Sequence, residues 1–174
     1  MAKKRSKLNY RFRNAREIDV TGIGDEIKKA SLSGIYNFGD LSQLAGFIDS
    51  LKFITEIQKG NLQLAIPGPS MADCLYVMED INAKNAVGYV LVTGRSQTDS
   101  FPSYIEIRAF GINNKLQKRG LGKLMMEFLL TSFDSHILVA HCLPFATGMA
   151  SLLQRNGFVF MDSTEGGKRT YIRN

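Results

Sequence analysis

Residues 117–123, Gln-Lys-Arg-Gly-Leu-Gly-Lys, gather the side-chain types that hold a diphosphate. The first turn of a helix carries backbone N–H groups with no partner inside the helix. With the helix dipole they form an anion site. Gly120 and Gly122 have no side chains, so a phosphate can approach the backbone, and Lys118, Arg119 and Lys123 add positive charge. Two other phosphate motifs are excluded. The chain contains no G-x-x-x-x-G-K-[ST] string, and a dinucleotide fingerprint needs a third glycine where Met125 stands. What remains is Gln-x-x-Gly-x-Gly, a spacing that serves equally as a plain strand-to-helix turn.

The flanking elements must present that turn. Tyr104–Ile112 reads as a strand, with Ile105, Ile107 and Ala109 on one face and Tyr104, Glu106, Arg108 and Phe110 on the other. From Gln117 to Phe133 the period is helical, since Leu121, Leu124, Met125, Phe128 and Leu129 share a face. Upstream, Tyr10–Arg16 reads as a strand. A helix capped by Thr21 runs toward Ala30, and a second spans Asp40 to about Lys59, with room for a break near Asp49-Ser50 and a stop at Gly60. Pro67-Gly68-Pro69-Ser70 marks a turn, after which Cys74–Val77 and Ala86–Thr93 form a hairpin. Downstream come a strand at Ile137–Ala140, a helix at Ala146–Gln154, and a hairpin of Phe158–Met161 and Arg169–Arg173 turning at Glu165-Gly166-Gly167.

The bulk numbers fit one domain. The 174 residues, 44% of them hydrophobic, suffice for one core. No apolar run is long enough for a membrane span and no secretory leader is evident, so the expected compartment is the cytoplasm. Cys74 and Cys142 form no C-x-x-C pair and read as core residues. His136 and His141, five apart, fall on opposite faces of a strand, so no metal site is expected. The net charge of +6 is uneven. Residues 1–16 hold seven basic side chains and no acid, which leaves 15 basic against 16 acidic residues elsewhere. Residues 1–9 therefore read as a basic arm before a single domain at 10–174, and residues 1–16 offer charge to nucleic acid or an acidic partner.

With these elements in place, the chain resembles the GNAT superfamily of acyl-CoA-dependent N-acyltransferases. Gln117, Gly120 and Gly122 match its pyrophosphate motif, and Gly157-Phe158 matches the pair that opens its penultimate strand. The likeness in element order covers residues 72–174 and, more loosely, the two leading helices. It implies an α/β (α+β) fold with a mixed, mostly antiparallel sheet of about six to seven strands flanked by about four helices. It implies acetyl-CoA as co-substrate and an amine as acceptor, with no metal, in a monomer or homodimer. By the same likeness Phe110, Gly111 and Ile112 would bond the pantetheine arm from a splayed strand. The N–H groups of Lys118, Arg119, Gly120, Leu121, Gly122 and Lys123 would take the diphosphate, with Gln117 opening the motif.

The resemblance also frames the proton chemistry. Aminolysis of a thioester needs an uncharged amine, a stabilised carbonyl oxygen and a proton for the leaving thiolate. The tyrosine that the family often places in the helix before Gly-Phe is Leu153 here, and its frequent asparagine is Ala146. In the histone-acetyltransferase branch a general-base glutamate stands eleven positions before the motif, which is Glu106. Its flanks Tyr104 and Phe110 would raise its pKa, and the opposing expectation is a surface pair with Arg108. His141 is a second candidate acid or base, Cys142 an acyl acceptor without a basic partner, and Tyr36, Tyr104 and Tyr171 are phenols that sequence does not place. The leading expectation is direct acetyl transfer to a primary amine. The alternative is a noncatalytic CoA-binding module whose basic arm engages nucleic acid or a protein partner.

Overall fold

The computed structural model describes residues 9–59 and 73–174. Gly60, the Pro67–Ser70 turn and all of the basic arm but Asn9 lie outside the described residues. The elements are β1 (Tyr10–Asn14), α1 (Glu17–Leu32), α2 (Leu41–Gln58), β2 (Asp73–Asp80), β3 (Asn85–Arg95) and β4 (Tyr104–Ile112), then a 3-10 turn at Asn114–Leu116. α3 (Leu121–Ser132), β5 (Ile137–Cys142), α4 (Thr147–Arg155), β6 (Val159–Ser163) and β7 (Arg169–Arg173) follow. The strands form a seven-stranded sheet in the order β1-β2-β3-β4-β5-β7-β6, with β4–β5 the parallel pair.

Alternation in the strands sends two apolar sets to opposite faces, and each recruits its own helices. On one face Tyr76, Met78, Val90, Val92, Ile105 and Ile107 pack under α3 and α4, where Met125, Met126, Leu129 and Leu153 are fully buried. On the other, Leu75, Val77, Tyr89, Leu91 and Ala109 meet Val20, Ile23 and Ile27 of α1 and Leu44, Leu51 and Ile54 of α2. Each such side chain contributes about 1.5–3 kcal/mol when taken from water. Neither helix pair could bury its stripe without the sheet.

Three local readings need correction. α1 begins at Glu17, not beside Thr21, because the Asp19 carboxylate accepts from the Arg16 backbone N–H at 2.7 Å and so closes the first turn. α2 runs through Asp49-Ser50 without a break from its Asp40 cap, which accepts from Gln43 N–H at 2.9 Å. α3 begins at Leu121, not Gln117, since Asn113 turns the chain into the 3-10 segment and Gly120 sits in the left-handed region at φ 84°. The charge near the N-terminus is also spoken for in part. Glu79, 1% exposed, takes Arg11 at 2.5 Å, Arg13 at 3.0 Å and Arg16 at 3.1 Å, and Arg13 also pairs with Asp19 at 2.7 Å. These three arginines tie β1 and the start of α1 to β2.

The face assignment along β4 is corrected by a bulge. Leu91 pairs with Ala109 but Val92 pairs with Ile107, so Arg108 is the extra residue. Past it the alternation inverts. Ile105 and Ile107 face α3 and α4, Ala109 faces α1 and α2, and Phe110 returns to the α3 side. Glu106 and Phe110 therefore lie on opposite faces, not together.

Candidate functional site

β4 and β5 are paired only from Tyr104–Ile137 to Ile107–Ala140. Beyond that point β4 stays on β3 and β5 stays on β7, so the two diverge just where the Arg108 bulge adds twist. Between them opens a cavity of about 340 Å³, lined among others by Tyr36, Ile107, Phe110, His141, Met149 and Lys168. One edge of β4 is thereby left without a partner strand. Its polar groups have found side chains instead. The Tyr36 hydroxyl accepts from Phe110 N–H at 3.1 Å and donates to Phe110 C=O at 3.2 Å. Gln117 Nε2 donates to Ile112 C=O at 3.1 Å and to Asn114 Oδ1 at 2.6 Å, which folds the turn back onto the strand end.

Gly111 and Tyr89 brace this edge. A Cβ at Gly111 would lie 2.5 Å from Tyr89 Cζ and 2.7 Å from its Oη, so the buried ring lies directly on the glycine. Burial pushes the Tyr36 phenol above its ordinary pKa, against hydrogen bonds from Tyr89 and Phe110. It does the same to Tyr89. Both hold their protons at neutral pH.

The turn after β4 has the form of an anion cradle. Lys118 is left-handed at φ 60° and Gly120 at φ 84°, and Gly120 gives α3 no side-chain cap. The first N–H groups of the helix have no acceptor within it, and the space beside Gly120 is open, as nothing would meet a Cβ there within 4 Å. Leu121 anchors the helix in the core, and a Cβ at Gly122 would meet Leu152 at 3.6 Å, an ordinary distance. Lys123 reaches Glu127 at 3.5 Å, while Lys118 and Arg119 have no carboxylate partner among the described residues. The site thus joins a half-open strand edge to a cationic N-terminus, a geometry suited to a long ligand with amides in its arm and a diphosphate at its end.

Comparison with solved structures gives the fold directly. No protein-family model and no curated protein matches the chain. A GNAT-family acetyltransferase from Streptococcus agalactiae superposes with TM-score 0.66 at 12% identity, over 97% of this chain and 96% of that one. The yncA protein of Salmonella typhimurium, solved with acetyl-CoA, gives 0.68 at 16% identity over 94% and 92%. The ribosomal-protein-S5-alanine acetyltransferase of Vibrio fischeri gives 0.61 at 16% over 97% and 94%. This chain has the GNAT fold.

Within the GNAT fold the side chains named from sequence fall into distinct places. Glu106 is held by Arg95, whose Nε and Nη2 both reach its Oε2 at 2.7 and 2.5 Å. The expected pairing with Arg108 does not form, because the bulge turns Arg108 to Asp73 at 2.8 Å and over the Phe47 ring. His141 lines the cleft, with Nδ1 3.2 Å from Thr170 Oγ1. Burial and then the Lys168 charge lower its pKa, with Glu106 and Asp162 opposing. Cys142 is buried and its thiol is pushed up to about 11, which makes it a poor nucleophile. Tyr171 is buried in the core, Tyr104 stacks edge-on with Phe101, and Leu153 is fully buried in the α3–α4 core. From α4, Ala146 and Met149 line the cleft. Of the three phenols left open, Tyr36 is the one in the cleft. Sequence missed Arg95, Tyr89 and Lys168; no periodicity marks them, since each reaches the site from another strand or a turn.

Proposed function

We propose that this chain is an acetyl-CoA-dependent N-acetyltransferase acting on a primary amine by direct attack. The observation that carries the reading is the end of β4–β5 pairing at Ile107–Ala140 immediately above the Lys118–Lys123 cradle. Phe110 and Ile112 would bond the amides of the pantetheine arm along the freed edge. The first N–H groups of α3, with Lys118 and Arg119, would hold the diphosphate. The thioester then falls beside His141.

His141 is the proton acceptor in this reading, ahead of Glu106. It lines the cleft, and its lowered pKa keeps it neutral at pH 7. Glu106 is tied to Arg95 and takes no part in lining that cavity. The amine attacks the thioester carbon, its proton passes to His141, and the departing CoA sulfur leaves as thiolate to be protonated. Lys168 would disfavour the ammonium form of an amine bound near it.

Calorimetry with acetyl-CoA and thiol release over an amine panel test the proposal. His141→Gln is expected to lower kcat about 100-fold or more, whereas Glu106→Gln leaves most of it. The acid limb of the rate profile rises with pH as His141 loses its proton, below the ordinary histidine value of 6.5. Failure to bind acetyl-CoA at millimolar concentration would end the proposal, and loss of activity in Glu106→Gln with His141→Gln intact would reverse the roles.

A further inference from the structure

We propose that Tyr36 is a latch seated where the acyl-CoA arm belongs, so that acyl-CoA binds only by displacing it; the inference rests on the acyl-CoA reading above. A phenol hydroxyl can donate and accept at once, and its oxygen has room for a second donor. At Phe110 it does both, taking the N–H at 3.1 Å and giving its proton to the C=O at 3.2 Å. That is the pair of bonds an extended amide ligand makes with one residue of a strand edge. Phe110 has a single N–H, so Tyr36 and an acyl-CoA arm compete for it. Below the contact, the Tyr89 hydroxyl bonds that of Tyr36, which holds the latch closed.

The segment that carries Tyr36 is built to swing. It joins α1 to α2 between Gly34 at φ 71° and Gly39 at φ 72°, both in the left-handed region. The ring of Phe145 lies against Gly34, where a Cβ would meet it at 2.9 Å. A second cavity of about 560 Å³ is lined by the same segment, through Tyr36, Phe38 and Asp40, with Leu143 and Phe145 opposite. Release of Tyr36 therefore reshapes the cavity next to the cleft. The latch sets acyl-CoA affinity and couples it to the shape of the adjoining space.

The test is calorimetric titration of the full chain and of Tyr36→Phe with acetyl-CoA, and separately with adenosine 3′,5′-bisphosphate, which has the phosphates but no pantetheine arm. The latch predicts acetyl-CoA affinity tighter in Tyr36→Phe by about three- to tenfold, since the competing hydrogen bonds are gone, with bisphosphate affinity unchanged. Tyr36→Phe leaves the Tyr89 hydroxyl unpaired, so Tyr36→Phe/Tyr89→Phe, checked by thermal melting, is run beside it and is expected to bind acetyl-CoA at least as tightly. Equal or weaker acetyl-CoA binding in both folded variants overturns the latch, as does a fall in kcat with affinity unmoved, which would make Tyr36 a proton donor. If wild type does not bind acetyl-CoA at all, it is the acyl-CoA reading that fails, and the latch with it.

Discussion

Gly111→Ala is expected to destabilise the fold through one ring. The added methyl would lie 2.5 Å from Tyr89 Cζ and 2.7 Å from Oη, where an unstrained contact needs about 3.5 Å. Tyr89 is 4% exposed and its hydroxyl is bonded to Tyr36, so the ring cannot retreat the required ~1 Å without moving its neighbours. Overpacking of this kind costs about 1–3 kcal/mol, against which alanine regains roughly 0.5–1 kcal/mol of strand-interior entropy over glycine. At this chain length each kcal/mol moves Tm by about 2–4 °C. Urea and thermal melts of Gly111→Ala, Tyr89→Leu and the double variant measure the effect. Removing the ring should relieve the clash, so the double variant should be more stable than the sum of the singles predicts, by about 1 kcal/mol. Strict additivity, or a Gly111→Ala variant more stable than wild type, would refute the packing argument.

Two further outcomes are expected. Glu79→Gln should cost about 1–3 kcal/mol at pH 7 by leaving the largely buried Arg13 poorly paired. Burial alone would raise the Glu79 pKa, but hydrogen bonds from Arg13 and Arg11, with their charges, hold it below the usual carboxylate range. Its contribution is therefore complete above the unfolded value of about 4.3 and is lost as pH falls through the folded one; denaturant titrations from pH 7 to pH 2 should show the gap between wild type and variant closing. Lys118→Ala/Arg119→Ala should weaken acetyl-CoA binding roughly 5- to 30-fold and flatten its salt dependence, as two exposed cations near a diphosphate would. An unchanged Kd and salt slope would show that these cations do not touch the ligand.

Much of the architecture was legible because it is local. The helical period at Leu121, Met125 and Leu129 places those side chains in the core, and the order of strands and helices follows from turn residues and alternation. The alternation rule failed at Arg108, where one extra residue in β4 reverses every face beyond it. A bulge leaves no mark in composition. It separated Glu106 from Phe110 and gave Arg108 to Asp73, and with that the expected setting of the carboxylate disappeared. The basic residues near the start carry a related lesson. Charge can be counted from sequence, but the partners of Arg11, Arg13 and Arg16 come from Glu79 on the adjacent strand β2, 63 to 68 positions along the chain, and from Asp19 in α1.

By itself the sequence determined the Gln117–Lys123 turn. Gly120 permits the left-handed turn into α3 and the open approach, and the cations are consecutive or nearly so. Nothing distant is needed to build that half of the site. The tertiary structure alone decided what occupies the other half, the free edge of β4, since Tyr36 reaches Phe110 across 74 positions of chain and Tyr89 braces it from a third element. A strand edge carries the same N–H and C=O groups whatever its sequence. Which partner they find depends on which loop the fold lays beside them.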